Sequence, residues 1–184
     1  MTFSESYKQQ TLETIAAIDT GKVNQVIELF REARDNQRHI FVCGNGGSAS
    51  TASHLACDLV KGASFERAVR FRILALTDSL ATITAYSNDV GYEFVFVEQL
   101  KNFAEPGDLV MAISGSGNST NVVRAIEYAN RIGCKTIGLT GRSGGELGEV
   151  AQLTVHVPFQ HMGRIEDAHF IICHMIGYYF MEND

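Results

Sequence analysis

A chain of 184 residues is long enough for one well-packed domain and short for two. Its 45% hydrophobic and 20% charged residues exclude a disordered chain, and a formal charge of −6 excludes generic binding to nucleic acid, so any phosphate must be held by a local site. No apolar run reaches the ~20 residues that span a bilayer, and Met1-Thr2-Phe3-Ser4-Glu5-Ser6 lacks the basic and apolar regions of a secretory leader. The expectation is a cytoplasmic protein with no membrane partner.

Residues 1–37 read as helical. Val23, Val26, Ile27, Phe30 and Ala33 fall on one helical stripe, and Leu12, Ile15 and Ala16 form a shorter one ahead of Gly21, the predicted break between two helices. Neither stripe carries a polar constellation, which predicts a packing or oligomerisation segment before an α/β core over 38–184, the whole being one domain. From His39 onward, short apolar runs at 40–43, 73–76, 109–113, 136–139 and 153–157 alternate with helical segments at 48–61, 93–103, 119–132 and 162–182. The runs lack polar alternation, as strands buried on both faces do. This pattern predicts α/β architecture: a five-stranded parallel sheet between two layers of helix, with ligands bound beyond the carboxyl ends of the strands. Cys43, Cys57, Cys134 and Cys173 lie far apart in apolar runs without a C-x-x-C pair, and read as buried free thiols.

Two strand-to-helix turns stand out. Gly44-Asn45-Gly46-Gly47-Ser48 packs three glycines into four positions, so backbone can approach a ligand beside a helix N-terminus. Its spacing matches neither a dinucleotide fingerprint nor a P-loop. Ser114-Gly115-Ser116-Gly117-Asn118-Ser119-Thr120 sets hydroxyls beside exposed amides at a second helix start, which suits a phosphate monoester without a basic side chain. A helix cap explains Ser119 or Thr120 but leaves Ser114 and Ser116 unexplained. A third turn, 140–145, is explained by loop geometry.

These turns, together with Leu76-Thr77-Asp78-Ser79, Ser87-Asn88-Asp89-Val90-Gly91-Tyr92-Glu93 and Arg164-Ile165-Glu166-Asp167-Ala168-His169, resemble the sugar isomerase (SIS) domain family, most nearly its phosphoheptose isomerases. The resemblance covers nearly the whole chain and implies the SIS fold. It implies aldose–ketose isomerisation of a sugar phosphate through an enediol, sedoheptulose 7-phosphate to D-glycero-D-manno-heptose 7-phosphate, in a homotetramer with sites between subunits. Carried over by position, Asn45, Gly46, Gly47, Ser48, Asn88, Asp89 and Glu166 contact substrate, and Ser114, Gly115, Ser116 and Ser119 hold its phosphate. His54, Asp58, Glu166 and His174 form the implied site for a divalent metal, zinc, with Asp58 and His174 as the acid–base pair. The chain departs from the family in carrying Asp58 for glutamate, Glu166 for glutamine, and Ser-Gly-Ser for Ser-Thr-Ser in the phosphate turn. A bacterial homologue that binds the replication initiator suggests a non-catalytic phosphosugar-binding scaffold as the alternative, and an isomerase of another sugar phosphate is a third reading.

Isomerisation needs a base near neutrality and an electrophile to stabilise the enediol oxygens. His54 and Asp58 are i, i+4 and share one helix face. Glu166 and His174, eight residues apart, are separated by about 12 Å along a helix, near the limit for sharing one ion. Glu166 and His169 have the Glu-x-x-His spacing of carboxylate-bridged metal sites. Spacing alone therefore favours His169, the resemblance favours His174, and the plain reading of His169 is a core or supporting histidine. His156 and His161 read as surface or loop residues.

Overall fold

A computed structural model describes residues 1–183. The elements run α1 (Phe3–Ala16), α2 (Thr20–Asp35), β1 (His39–Gly44), α3 (Gly47–Cys57), a π-turn (Asp58–Gly62), β2 (Arg72–Ala75) and α4 (Leu80–Asp89). After a short 3-10 turn (Tyr92–Phe94) come α5 (Val97–Phe103), β3 (Leu109–Ser114), α6 (Thr120–Ile132), β4 (Lys135–Gly141), α7 (Gly145–Val150), β5 (Leu153–Val157) and α8 (Met162–Asn183). The strands form one parallel sheet in the order β2-β1-β3-β4-β5, with Ile40 beside both Ile73 and Leu109, and Ser114 beside Thr140. The expected three-layer α/β/α architecture is what the chain adopts.

Alternation along the strands divides the core. Ile40, Val42, Leu109, Met111 and Ile113 face α2, α3 and α8, while Phe41, Cys43, Val110 and Ala112 face α5 and α6. The helix after β1 and the helix after β3 thus lie on opposite faces, and a crevice opens between the carboxyl ends of these neighbouring strands. Burial on both faces holds for β1 and β3 but fails at the edges. Arg72 and Leu74 of β2 are exposed, and Thr154 and His156 of β5 are half-buried, because no further strand or helix covers those sides.

The helical N-terminus differs in detail from expectation. The chain breaks at 17–19, where Asp19 caps α2 by accepting a hydrogen bond from the Lys22 amide (3.0 Å), and Gly21 lies inside the first turn of α2. α2 buries Val23, Val26, Ile27, Phe30 and Ala33 as its stripe predicts, so it builds the chain's own core. α1 does not bury its stripe: Leu12 and Ala16 are exposed, and α1 instead docks on α8, where the Tyr7 hydroxyl donates to Asp167 Oδ2 (2.9 Å).

All four cysteines are free, but Cys57, at the outer end of α3, is exposed. Burial pushes the Cys43 thiol up to about 12 and the Cys134 thiol up to about 11. No helix among the described residues is long and apolar enough to cross a membrane. Two helices escaped the periodicity, each for a physical reason. α4 has no buried residue, and α7 is six residues long with only Leu147 buried, so neither generates a stripe.

Candidate functional site

The crevice between β1 and β3 holds a cleft of about 150 Å³ lined by Asn45, Ser48, Ile113, Ser114, Gly115, Ser116, Ser119, Met162 and Glu166. The serine turn supplies one wall. Ser119 sits at the N-cap of α6, yet its hydroxyl makes no capping bond and lies 3.1 Å from that of Ser114. Ser116 Oγ is 3.4 Å from Ser114 Oγ, so three hydroxyls converge at the positive end of a 13-residue helix. Ser114 Oγ accepts the Gly117 amide (3.2 Å) and Ser116 Oγ the Asn118 amide (3.2 Å), which fixes the turn. The third turn braces it from behind: the Leu147 amide donates to the Gly117 carbonyl (2.8 Å), and the Glu146 amide to Asn118 Oδ1 (3.0 Å).

The glycine turn supplies the opposite wall. A Cβ at Gly47 would lie 2.8 Å from Glu166 Oε1, so a side chain there would displace the carboxylate. Glu166, carried by the first turns of α8, therefore occupies the cleft. The lining contains no lysine or arginine, so hydroxyls and backbone dipoles must hold any anion, with the carboxylate available to the uncharged part of a ligand.

His54, Asp58 and His174 converge at a second point. Their ligating atoms lie within 4.8 Å of one another. His54 Nε2 and His174 Nε2 are 3.0 Å apart, and Asp58 Oδ2 lies 3.3 Å from the first and 3.9 Å from the second. That oxygen is buried and makes no aligned hydrogen bond, an orphan acceptor facing two imidazoles. Three nitrogen and oxygen donors so arranged fit a divalent ion, and the donor set suits zinc. The π-turn beginning at Asp58 follows α3 directly, and Asp58 packs on Gly177, where an added Cβ would meet its own at 3.4 Å. Phe170 packs on both imidazoles, with ring centroids 4.7 Å from His54 and 4.6 Å from His174.

The structure thus joins three of the four residues expected around a metal and separates the fourth. Glu166 is two helical turns from His174 and belongs to the cleft. His169 is at neither point. It is buried, and its Nε2 donates to the Thr140 carbonyl (3.1 Å), as a core histidine does. Asn88 and Asp89 end α4, exposed, with Asn88 Nδ2 donating to Asp89 Oδ1 (2.7 Å), and neither lines the cleft within this chain. His156 lies in β5, its Nε2 3.0 Å from the Arg142 carbonyl, while His161 is exposed. Sequence reasoning missed Phe170, whose i, i+4 spacing to His174 was legible, and Asn121 and Tyr92, whose bonds to Asn45 span distant segments.

Burial pushes the His169 imidazole down to about 4, with His156 adding a smaller effect of the same sign. The neutral ring is therefore favoured by folding. Its contribution is complete above the unfolded value of 6.5 and is lost as the pH falls toward 4, where the folded protein also takes the proton. Over that window wild type is expected to lose on the order of 3 kcal/mol more stability than His169→Gln, which keeps a donor for Thr140 without a titrating ring. Urea unfolding at pH 7 and pH 4 measures the difference, and equal losses would exclude the effect.

The model of the SIS domain matches residues 5–141. The phosphoheptose isomerase of Geotalea daltonii is 39% identical over 168 residues, covering 91% of this chain and 87% of that protein. That of Akkermansia muciniphila is 41% identical over 156 residues, covering 85% and 82%. The solved structure of a phosphoheptose isomerase from Francisella tularensis superposes with a TM-score of 0.89 at 30% identity, covering 98% of this chain and 95% of the other. With the match spanning both walls of the cleft and the relatives extending over α8, the chain belongs to the SIS domain family and, within it, to the phosphoheptose isomerases.

Proposed function

We propose that this isomerase interconverts the ketose and aldose forms of a seven-carbon sugar phosphate, taking sedoheptulose 7-phosphate to D-glycero-D-manno-heptose 7-phosphate. The observation that carries the reading is the convergence of the Ser114, Ser116 and Ser119 hydroxyls at the start of α6 in a cleft without a basic side chain. Together with the helix N-terminus they anchor the phosphate, and Asn45, Ser48 and Glu166 bind the adjoining hydroxyls. Gly46, Gly47 and Gly115 let backbone approach the ligand.

In the ketose, a proton leaves C1 and returns at C2, while a hydroxyl proton passes between O2 and O1 by way of the enediol. Asp58 and His174, 3.9 Å apart, are the acid–base pair of this reading. His54, Asp58 and His174 would hold a divalent metal, zinc by donor type, which when bound supplies Lewis-acid polarisation of sugar oxygens. A cleft of about 150 Å³ accepts a phosphate but is smaller than the ~300–1,000 Å³ of ordinary ligand pockets. The exposed apolar side chains Phe3 and Leu12 on α1 support assembly. The reading therefore includes a homotetramer in which a neighbouring subunit completes the sugar site, with Asn88 and Asp89 available to it.

Proton NMR in D₂O with sedoheptulose 7-phosphate and zinc tests the reaction. The aldose should appear with solvent deuterium at the carbon that receives the proton. Binding without conversion would overturn the isomerase reading in favour of a phosphosugar-binding scaffold. In the same assay Ser116→Ala/Ser119→Ala should raise KM by roughly tenfold or more, the loss expected for hydrogen bonds to a charged group. An unchanged KM would remove the phosphate site from this turn.

A further inference from the structure

Asn45 is held by two residues to which the reaction assigns no part. Asn121, buried in the first turn of α6, exchanges a reciprocal pair of hydrogen bonds with it. Asn45 Nδ2 donates to Asn121 Oδ1 and Asn121 Nδ2 donates to Asn45 Oδ1, each at 2.9 Å. The Tyr92 hydroxyl, reaching from the turn after Gly91, donates to the same Asn45 Oδ1 at 2.7 Å.

One further bond fixes the direction of all these. The Val122 amide donates to Asn121 Oδ1 (3.0 Å), and a backbone N–H can only donate. Asn121 must therefore turn its oxygen toward that amide and its nitrogen toward the oxygen of Asn45. Asn45 Oδ1 then accepts two hydrogen bonds, its full complement. Asn45 Nδ2 spends one N–H on Asn121 and keeps the other. Because Asn45 lines the cleft, its free capacity there is that single donor.

We propose that Asn121 and Tyr92 are positioning residues that lock the Asn45 carboxamide so that it offers the ligand one N–H donor and no acceptor. This edge of the cleft then selects a sugar oxygen presenting a lone pair over one presenting its hydrogen. A freely turning amide would offer either and would have to be ordered at each binding event, whereas this one is ordered beforehand. The inference rests on the sugar-phosphate reading of the same cleft.

Tyr92→Phe is the cleanest test, because the ring is exposed and the core is untouched. KM for sedoheptulose 7-phosphate should rise roughly three- to tenfold, the range of one neutral hydrogen bond, in Tyr92→Phe and at least as much in Asn121→Ala. Calorimetric affinity for inorganic phosphate, which needs only the serine turn, should not change. In an Asn45→Ala background, Tyr92→Phe should have no further effect, since its role passes through Asn45. Additive losses would overturn the proposal by showing that Tyr92 meets the ligand itself. Equal losses of phosphate and sugar-phosphate affinity would overturn it too, as support of the turn alone. Should Asn121→Ala lower Tm enough to unfold, Tyr92→Phe decides. Wild type that neither binds nor converts the sugar phosphate removes the underlying reading, whereas normal wild-type turnover with unchanged KM in Tyr92→Phe removes the positioning role only.

Discussion

Asp58→Ala is expected to lower turnover of sedoheptulose 7-phosphate by about 10²- to 10⁴-fold, the range of a positioned general acid or base, and to reduce bound zinc after dialysis. The carboxylate opens the π-turn, and its buried Oδ2 faces the two imidazole nitrogens without an aligned hydrogen bond. Truncation to alanine keeps the helical backbone, so the loss reads on chemistry and ion binding. Asp58→Glu tests the shorter side chain separately. An added methylene advances the carboxylate by roughly 1.5 Å, into a space where the two Nε2 atoms already stand 3.0 Å apart. Misplacement by about 1 Å can lower a rate about a hundredfold, so the longer carboxylate should not improve turnover. Kinetics and metal analysis of both variants check these outcomes, and robust turnover by Asp58→Ala would remove the residue from the mechanism.

Gly117→Ala should produce the largest loss of stability. Gly117 has φ +70°, where a side chain is strained, and its Cβ would fall on the carbonyl oxygen of Gly144. That obstacle is backbone, so no side chain can swing aside. Accommodating the methyl means parting the serine turn from the third turn and breaking the bond from the Leu147 amide to the Gly117 carbonyl. A loss of about 3 kcal/mol follows from strain and broken packing together, equivalent to a fall in Tm of roughly 10 °C for a chain of this size. Phosphate affinity should fall with it, because the hydroxyls of Ser114, Ser116 and Ser119 no longer converge. Thermal denaturation and calorimetry with inorganic phosphate measure both, and a shift of Tm under about 2 °C would mean that the two turns separate freely.

What could be read from the sequence divides along physical lines. β1 and β3 were legible because they are apolar on both faces, and α2 because its stripe meets the sheet. α4 was not, because it buries nothing, and the stripe on α1 was legible without its orientation, because Leu12 points away from the chain's own core. The serine turn and the His54–Asp58 pair are local patterns and could be read directly. The family pattern gives Glu166 both to substrate and to the metal, and eight residues along α8 set it apart from His174 and in the cleft, beside the serine turn. The lock on Asn45 joins segments 47 and 76 residues apart, a pairing that no local period encodes.

The placement of the cleft across two adjacent strands bears on how such a protein can change its substrate. Its two walls grow from β1 and β3, whose spacing of about 4.8 Å is set by backbone hydrogen bonding. The backbone spacing beneath the proposed phosphate seat is thus a lattice constant of the sheet. Asp58, Asn88 and Asp89 sit on helices and turns outside that lattice and outside the cleft lining, free to vary without widening or narrowing the seat. Selection can therefore exchange the sugar at the rim while the anchor stays fixed, which separates the inheritance of binding from the inheritance of specificity.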